Sequence, residues 1–109
     1  MRKMISGTVA GVLLAVFATV GHAAGDPVAG EHKARACAVC HGQEGIAISP
    51  LFPNLAGQQE AYMISALKAF RSEERRGASA EIMWGQAATL SDEDIADLAA
   101  YFSGLGSDF

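Results

Sequence analysis

Apolar side chains recur at steps of three and four residues in the middle of the chain, and this spacing predicts an amphipathic helix. The pattern extends from about Gln58 to Ser72. Its apolar positions are Tyr62, Met63, Ala66, Leu67 and Phe70. Residues 73–76 are all charged and Gly77 follows them, so we expect the helix to end close to Ser72.

A second stretch with this spacing lies near the end of the chain. Ser91 is a favourable N-cap, and the acidic residues 92–94 suit the positive end of the helix dipole. Gly104 and Gly106 are expected to end this helix. The positions that would line its apolar face are Ile95, Leu98, Ala99 and Phe102.

A third helix is predicted to begin at Asp26 and Pro27, as N-cap and first helical residue, and to continue toward two cysteines. Its apolar face is mostly alanine, so we expect close packing on another helix, with Gly30 permitting backbone-to-backbone approach. Residues 42–57 and 78–90 show no sustained period and contain glycines, prolines and small side chains, which predicts two long loops. No run alternates long enough for a strand, so the predicted fold is all-α, with three main helices and long loops.

The first residues have the pattern of a secretory signal peptide. Arg2 and Lys3 precede an apolar run at residues 9–20, and small residues follow around Ala23. The run is short for a helix that spans a bilayer, which needs about 20 residues. We therefore predict a signal peptide at residues 1–23 and a folded domain at residues 24–109 outside the cytoplasm; an uncleaved anchor is the alternative.

Composition excludes several classes of protein. A chain of 109 residues has room for one small domain, and its formal charge of −4 is unlike that of a nucleic-acid-binding protein. Its hydrophobic fraction of 50% argues against disorder, and two cysteines are too few for a disulfide-rich miniprotein. Much of the hydrophobic content is alanine, which supplies little core volume. Long loops in so small a domain therefore suggest a core that is partly not protein.

Cys37, Cys40 and His41 form the sequence C-x-x-C-H, the attachment pattern for c-type haem. Two thiols on one helical turn can reach the two vinyl groups of a porphyrin, and the adjacent imidazole then lies under the iron. A thioredoxin-like pair would need a βαβ surround, which the pattern lacks. A zinc site would have to use these three residues and His32, all from one short segment. A disulfide between the cysteines would close almost no loop and would contribute little.

With His41 as one axial ligand, two methionines are the main candidates for the other. Met63 lies on the apolar face of the middle helix, where methionine is usually core filler. Met83 lies in the second predicted loop, just before Trp84, and has less reason to exist as packing. His32 lies on the helix that precedes the motif and is expected to point away from the iron. Met83 is the favoured ligand, and a thioether paired with an imidazole would raise the iron potential.

The order of these segments resembles a class I cytochrome c over almost the whole chain after the signal segment. The matching runs are CAVCHG at 37–42, FPNLAGQ at 52–58, AYMISALKAFRS at 61–72, Met83 and LSDEDIADLAAYF at 90–102. They are most similar to short periplasmic monohaem cytochromes and to a single domain of the cytochrome c-four branch. The resemblance implies the cytochrome c fold, wrapped around one covalently bound haem c.

Carried over by position, the resemblance implies that Cys37 and Cys40 form the thioether bonds and that His41 and Met83 ligate the iron. It also implies that the carbonyl of Pro53 accepts a hydrogen bond from the His41 ring, although a proline there could equally serve as a simple turn former. In such proteins the activity is one-electron transfer.

Some positions match the family and others depart from it. Gly30, with Ala99 and Ala100, matches a close crossing of the first and last helices. Glu73 stands where the family usually has glycine after the middle helix, and Trp84 is bulkier than expected after the ligand methionine. Trp84 is expected either to shield the distal side of the iron, to face a partner, or to pack in the core.

The resemblance implies a periplasmic electron carrier and not an enzyme, because no bond is made or broken. Its partners are expected to be transient redox proteins, with no nucleic acid and no membrane span after signal cleavage. One alternative is a subunit that brings electrons into a larger oxidoreductase complex. Another is a five-coordinate haem enzyme or gas-binding protein in which Met83 only packs.

Overall fold

The computed structural model describes residues 2–15 and 25–106. Within these ranges the secondary structure is entirely helical, which confirms the all-α prediction. The helices are α1 (Pro27–Lys33), α2 (Arg35–His41), α3 (Glu60–Arg71), α4 (Ala80–Ala87) and α5 (Asp92–Ser103). No helix in the described ranges has both the length and the hydropathy needed to cross a membrane. The predicted signal cleavage at Ala23 falls outside the described residues.

Both predicted N-caps are present, although the helix expected to run from Asp26 toward the cysteines is divided at Ala34 into α1 and α2. The Asp26 side chain caps α1 by accepting a hydrogen bond from the Val28 amide at 2.9 Å. At α5, the Ser91 hydroxyl accepts from the Asp94 amide while the Asp94 carboxylate accepts from the Ser91 amide, both at 3.0 Å. This reciprocal capping box satisfies two amides at the start of the helix. Local sequence alone therefore fixes where these two helices begin.

The prediction of a continuous loop at 78–90 was wrong, because α4 occupies its centre. Ala80 and Ala87 are buried and Met83 and Trp84 are half-buried, so the spacing is in fact helical. Two of these four positions are alanine, which made the apolar face too weak to stand out. Ile82, by contrast, is half exposed on another side of the helix.

α1 and α5 form the most extensive helix pair of the described chain. Gly30 faces the backbone of α5, where a Cβ atom would overlap the carbonyl group of Asp97 and come within 2.8 Å of the Tyr101 Cβ. Ala99, on the same helix, is completely buried. The predicted backbone-to-backbone crossing is therefore confirmed.

Charged side chains fasten the same crossing. The Asp97 carboxylate is buried and accepts hydrogen bonds from the Asp26 amide at 2.8 Å and from Lys33 Nζ at 2.6 Å. Lys33 also contacts Asp94 at 2.8 Å. Hydrogen bonds from Lys33, and then from backbone amides, lower the pKa of both carboxyl groups. The start of α1 is thus tied to the middle of α5.

The hydrophobic core lies where α3 meets α5. Met63 is 5% exposed and packs in a cluster with Leu98, Ala99 and Phe102, which confirms it as a core residue. The largest fully buried side chains in the described ranges are Phe102, Ile95 and Leu98. α3 also packs on α4, so it lies between α4 and α5.

Candidate functional site

The sequence motif C-x-x-C-H lies on α2, which places its three functional side chains on the last turn and a half of one helix. Cys37 and Cys40 are both half-buried and are not joined in a disulfide. Residues three positions apart are neighbours on a helix surface, so the two sulfur atoms face the same side. Burial, and to a smaller extent the neighbouring Cys40, raises the pKa of the Cys37 thiol.

His41 is only 7% exposed, and its ring is held by one hydrogen bond. Its Nδ1 lies 2.8 Å from the carbonyl oxygen of Pro53, the partner that the resemblance implied. A carbonyl oxygen only accepts, so Nδ1 carries the proton and donates it. The lone pair of Nε2 is consequently available for a metal ion, and the contact fixes the orientation of the ring. The edge of the Phe52 ring lies beside the imidazole, with 6.3 Å between the ring centroids.

The loop after α2 returns the chain to His41. Gly42 has φ of 83° and would clash with the Ile46 carbonyl if it carried a side chain, so glycine is required directly after the histidine. The Asn54 side chain accepts from the Ala47 amide at 2.7 Å and closes the loop internally. The amide of Gly57 then donates to the carbonyl of Phe102 at 2.9 Å, which anchors the loop on α5. Pro53 lies within this anchored segment.

The other candidate ligands have different surroundings. Met83 is half-buried on the apolar face of α4, whereas the sequence placed it in a loop. Met63 is enclosed in the core, and His32 is exposed on α1. Among residues 2–15 and 25–106, no three His, Cys, Asp or Glu side chains gather as a metal-binding cluster. This donor set, two free thiols on one turn and one buried imidazole with a free Nε2, fits a porphyrin and does not fit a four-ligand zinc site.

The family model for cytochrome c matches residues 28–106, which include α2 to α5 and all but the first residue of α1. The chain belongs to the cytochrome c family. Its cofactor is therefore haem c with its iron, covalently attached at the C-x-x-C-H motif of Cys37 and Cys40. The geometry around α2 and the family assignment agree on the same group.

This cytochrome is similar to proteins of two sizes. It is 50% identical over 80 residues to cytochrome c-554(548) of Halomonas halodenitrificans, covering 73% of this chain and 96% of that protein. It also matches the crystal structure of reduced cytochrome c4 from Pseudomonas stutzeri, with a TM-score of 0.66 and 39% identity. That match covers 76% of this chain and 47% of the other, so this cytochrome spans about half the length of that relative.

A third likeness is to part of a much longer chain. The structure of thiosulfate dehydrogenase from Marichromatium purpuratum matches with a TM-score of 0.69 and 30% identity, covering 77% of this chain and 20% of that one. The cytochrome c fold of this chain is thus found both as a small protein and as part of longer chains.

Sequence reasoning missed the contacts that hold α4. The Trp84 indole donates to the carbonyl oxygen of Arg75 at 2.7 Å, and Arg71 donates to the carbonyl oxygen of Leu90 at 3.0 Å. Glu73 has φ of 62°, a left-handed conformation that explains why glycine is usual at this position. The departure from the family glycine was the signal that this turn is unusual.

Proposed function

We propose that this cytochrome is an exported electron carrier whose haem is bound through Cys37 and Cys40 and ligated by His41 and Met83. The observation that supports it most is the 2.8 Å contact from His41 Nδ1 to the Pro53 carbonyl, which orients the buried ring so that Nε2 is the nitrogen left to ligate the iron. Bound haem c supplies reversible one-electron chemistry at its iron.

The protein's own residues set the conditions for that chemistry. His41 is held in one tautomer and one orientation, so little rearrangement is needed when an electron arrives or leaves. A neutral thioether from Met83 and the low dielectric around the site both disfavour the more positively charged oxidation state. We therefore expect a positive reduction potential.

The surface beside the motif is apolar. Val39, Ile48 and Leu51 are 88%, 99% and 83% exposed, and Val39 and Ile48 border a small recess that also touches Cys40. Apolar side chains around a redox centre suit a small interface that forms and separates quickly, where the bound haem leaves them in contact with solvent. The proposed partners are transient redox proteins. The proposed location is the periplasm, to which residues 1–23 direct the chain as a signal peptide that is then removed.

The ligand set is tested by the optical spectrum of the oxidised holoprotein, searched for the weak long-wavelength band of sulfur-to-iron charge transfer. Met83→Ala is expected to abolish the band and lower the reduction potential. Met63→Leu is the matched control, because it removes the other buried thioether while conserving core volume. A band that survives in Met83→Ala, or disappears in Met63→Leu, would overturn the assignment of Met83.

Attachment and export are tested by mass spectrometry of the protein secreted by cells that ligate haem. The expected mass is that of residues 24–109 plus one haem, and the double variant Cys37→Ala, Cys40→Ala is expected to lack the haem mass. A wild-type mass equal to the bare polypeptide would contradict covalent attachment.

A second candidate function is a subunit that delivers electrons to a larger oxidoreductase, supported by the structural likeness to thiosulfate dehydrogenase. Affinity purification from the native periplasm distinguishes the two. Stoichiometric recovery with a catalytic subunit would favour the complex, and recovery of the cytochrome alone would favour the free carrier.

A further inference from the structure

The helix that carries Met83 has few means of holding its own position. α4 has eight residues, its N-cap Ser79 makes no side-chain capping bond, and Ala78 before it has φ of 43°. Helices this short are marginal without tertiary contacts. Among the described helices, α4 packs against α3. The orientation of Met83 must therefore be set by groups outside α4.

One such group connects α4 to the chain segment that precedes it. The Trp84 indole N–H donates to the Arg75 carbonyl oxygen at 2.7 Å. Arg75 is itself fixed to the end of α3, since its amide and that of Glu74 both donate to the Ala69 carbonyl, at 3.2 and 2.9 Å. The Arg75 guanidinium also lies 4.6 Å from the centre of the Phe70 ring. Trp84 is thus bonded to a turn that α3 holds in place.

A second set of contacts connects α3 to the chain segment that follows α4. Arg71, in the last turn of α3, donates to the Leu90 carbonyl at 3.0 Å and to the Asp92 carboxylate at 2.7 Å. Leu90 lies in the short connection between α4 and α5. The end of α3 therefore holds the chain on both sides of Met83.

We propose that Trp84 and Arg71 are positioning residues that hold α4 in the orientation at which Met83 reaches the iron. This inference rests on the proposed ligand role of Met83. A side-chain atom lies about 5 Å from the helix axis, so a rotation of α4 by about 20° would move the Met83 sulfur by roughly 2 Å. Ligand sites tolerate errors of only about 0.5 Å, so loss of either contact weakens the iron–sulfur bond.

The test measures how easily added imidazole displaces the methionine in the ferric holoprotein. Trp84→Phe keeps an aromatic ring and removes the N–H donor. Arg71→Lys keeps the positive charge and removes the guanidinium that donates to both the Leu90 carbonyl and the Asp92 carboxylate. Each variant is expected to bind imidazole roughly three- to tenfold more tightly than the wild type, as follows from loss of one hydrogen bond. The matched control is Tyr101→Phe, which deletes one donor to a backbone carbonyl, that of Gln43, away from α4.

The outcomes separate this inference from the proposal on which it depends. Wild-type imidazole affinity in both variants would overturn the positioning role, even where urea unfolding shows lower stability. A variant that yields no folded holoprotein leaves the other to decide. A charge-transfer band that persists in Met83→Ala would instead overturn the ligand assignment, whatever Trp84→Phe does.

Discussion

Substituting Gly30 with alanine tests whether the close crossing of α1 and α5 fixes the fold. On an isolated helix, alanine would be favoured over glycine by about 1 kcal/mol. Here the new methyl group would overlap the Asp97 carbonyl and come within 2.8 Å of the Tyr101 Cβ. A backbone carbonyl cannot rotate away as a side chain can, so the two helices must separate. Overpacking of this kind costs typically about 1–3 kcal/mol, which outweighs the gain in helix propensity.

We therefore expect Gly30→Ala to lower the free energy of unfolding by about 1–2 kcal/mol, which is the upper part of the overpacking cost less the gain of about 1 kcal/mol in helix propensity. The assay is urea unfolding of the holoprotein followed by far-ultraviolet circular dichroism, in which the midpoint should fall by roughly 1 M at an unchanged slope.

Gly85→Ala is the matched control for this experiment. Gly85 is also helical, and a Cβ atom there would have no neighbour within 4 Å. It lies two positions from Met83, about 200° around α4, so it faces away from the proposed ligand. This variant should be more stable by about 0.5–1 kcal/mol. Equal or higher stability of Gly30→Ala, or a shift of both variants in one direction, would refute the argument from close packing.

Two further changes test the charged contacts and the turn after α3. The pKa of Asp97 is lowered in the folded state, so its stabilising effect is complete above the unfolded carboxyl pKa of about 4 and is lost as the pH falls through the lower folded value. Asp97→Asn should therefore lower the free energy of unfolding at neutral pH, and that free energy should fall less steeply as the pH becomes acidic. Glu73→Gly should stabilise the holoprotein by about 0.5–1 kcal/mol in urea unfolding, because φ of 62° strains any residue but glycine. Glu74→Gly, next in the chain, should not stabilise it; equal effects at the two positions would show that the turn is not strained.

Sequence patterns were sufficient where structure is decided locally. The caps at Asp26 and Ser91 follow from side chains two or three residues from the amides they bind. The position of Met63 in the core follows from a regular stripe of large apolar residues. The contact from His41 to Pro53 joins residues twelve positions apart, and only a resemblance could suggest it.

The remaining features depend on how distant segments meet. α4 escaped notice because Ala80 and Ala87 supply half of its buried face. The bond from Trp84 to the Arg75 carbonyl needs a turn shaped by positive φ angles, which residue types other than glycine do not signal. The pairing of Lys33 with Asp97 exists only because α1 crosses α5. Such contacts arise from the packing of distant segments, and local sequence patterns do not predict them.

The small interior has a consequence for how the protein is made. Among the described residues, the largest fully buried side chains are Ile95, Leu98 and Phe102, and so modest a core gives a bare polypeptide little resistance to proteases. Copies of the polypeptide that miss their prosthetic group should therefore be degraded. Abundance of the polypeptide would then follow iron supply without any dedicated regulator, and an iron-starved cell would lose the protein together with its colour.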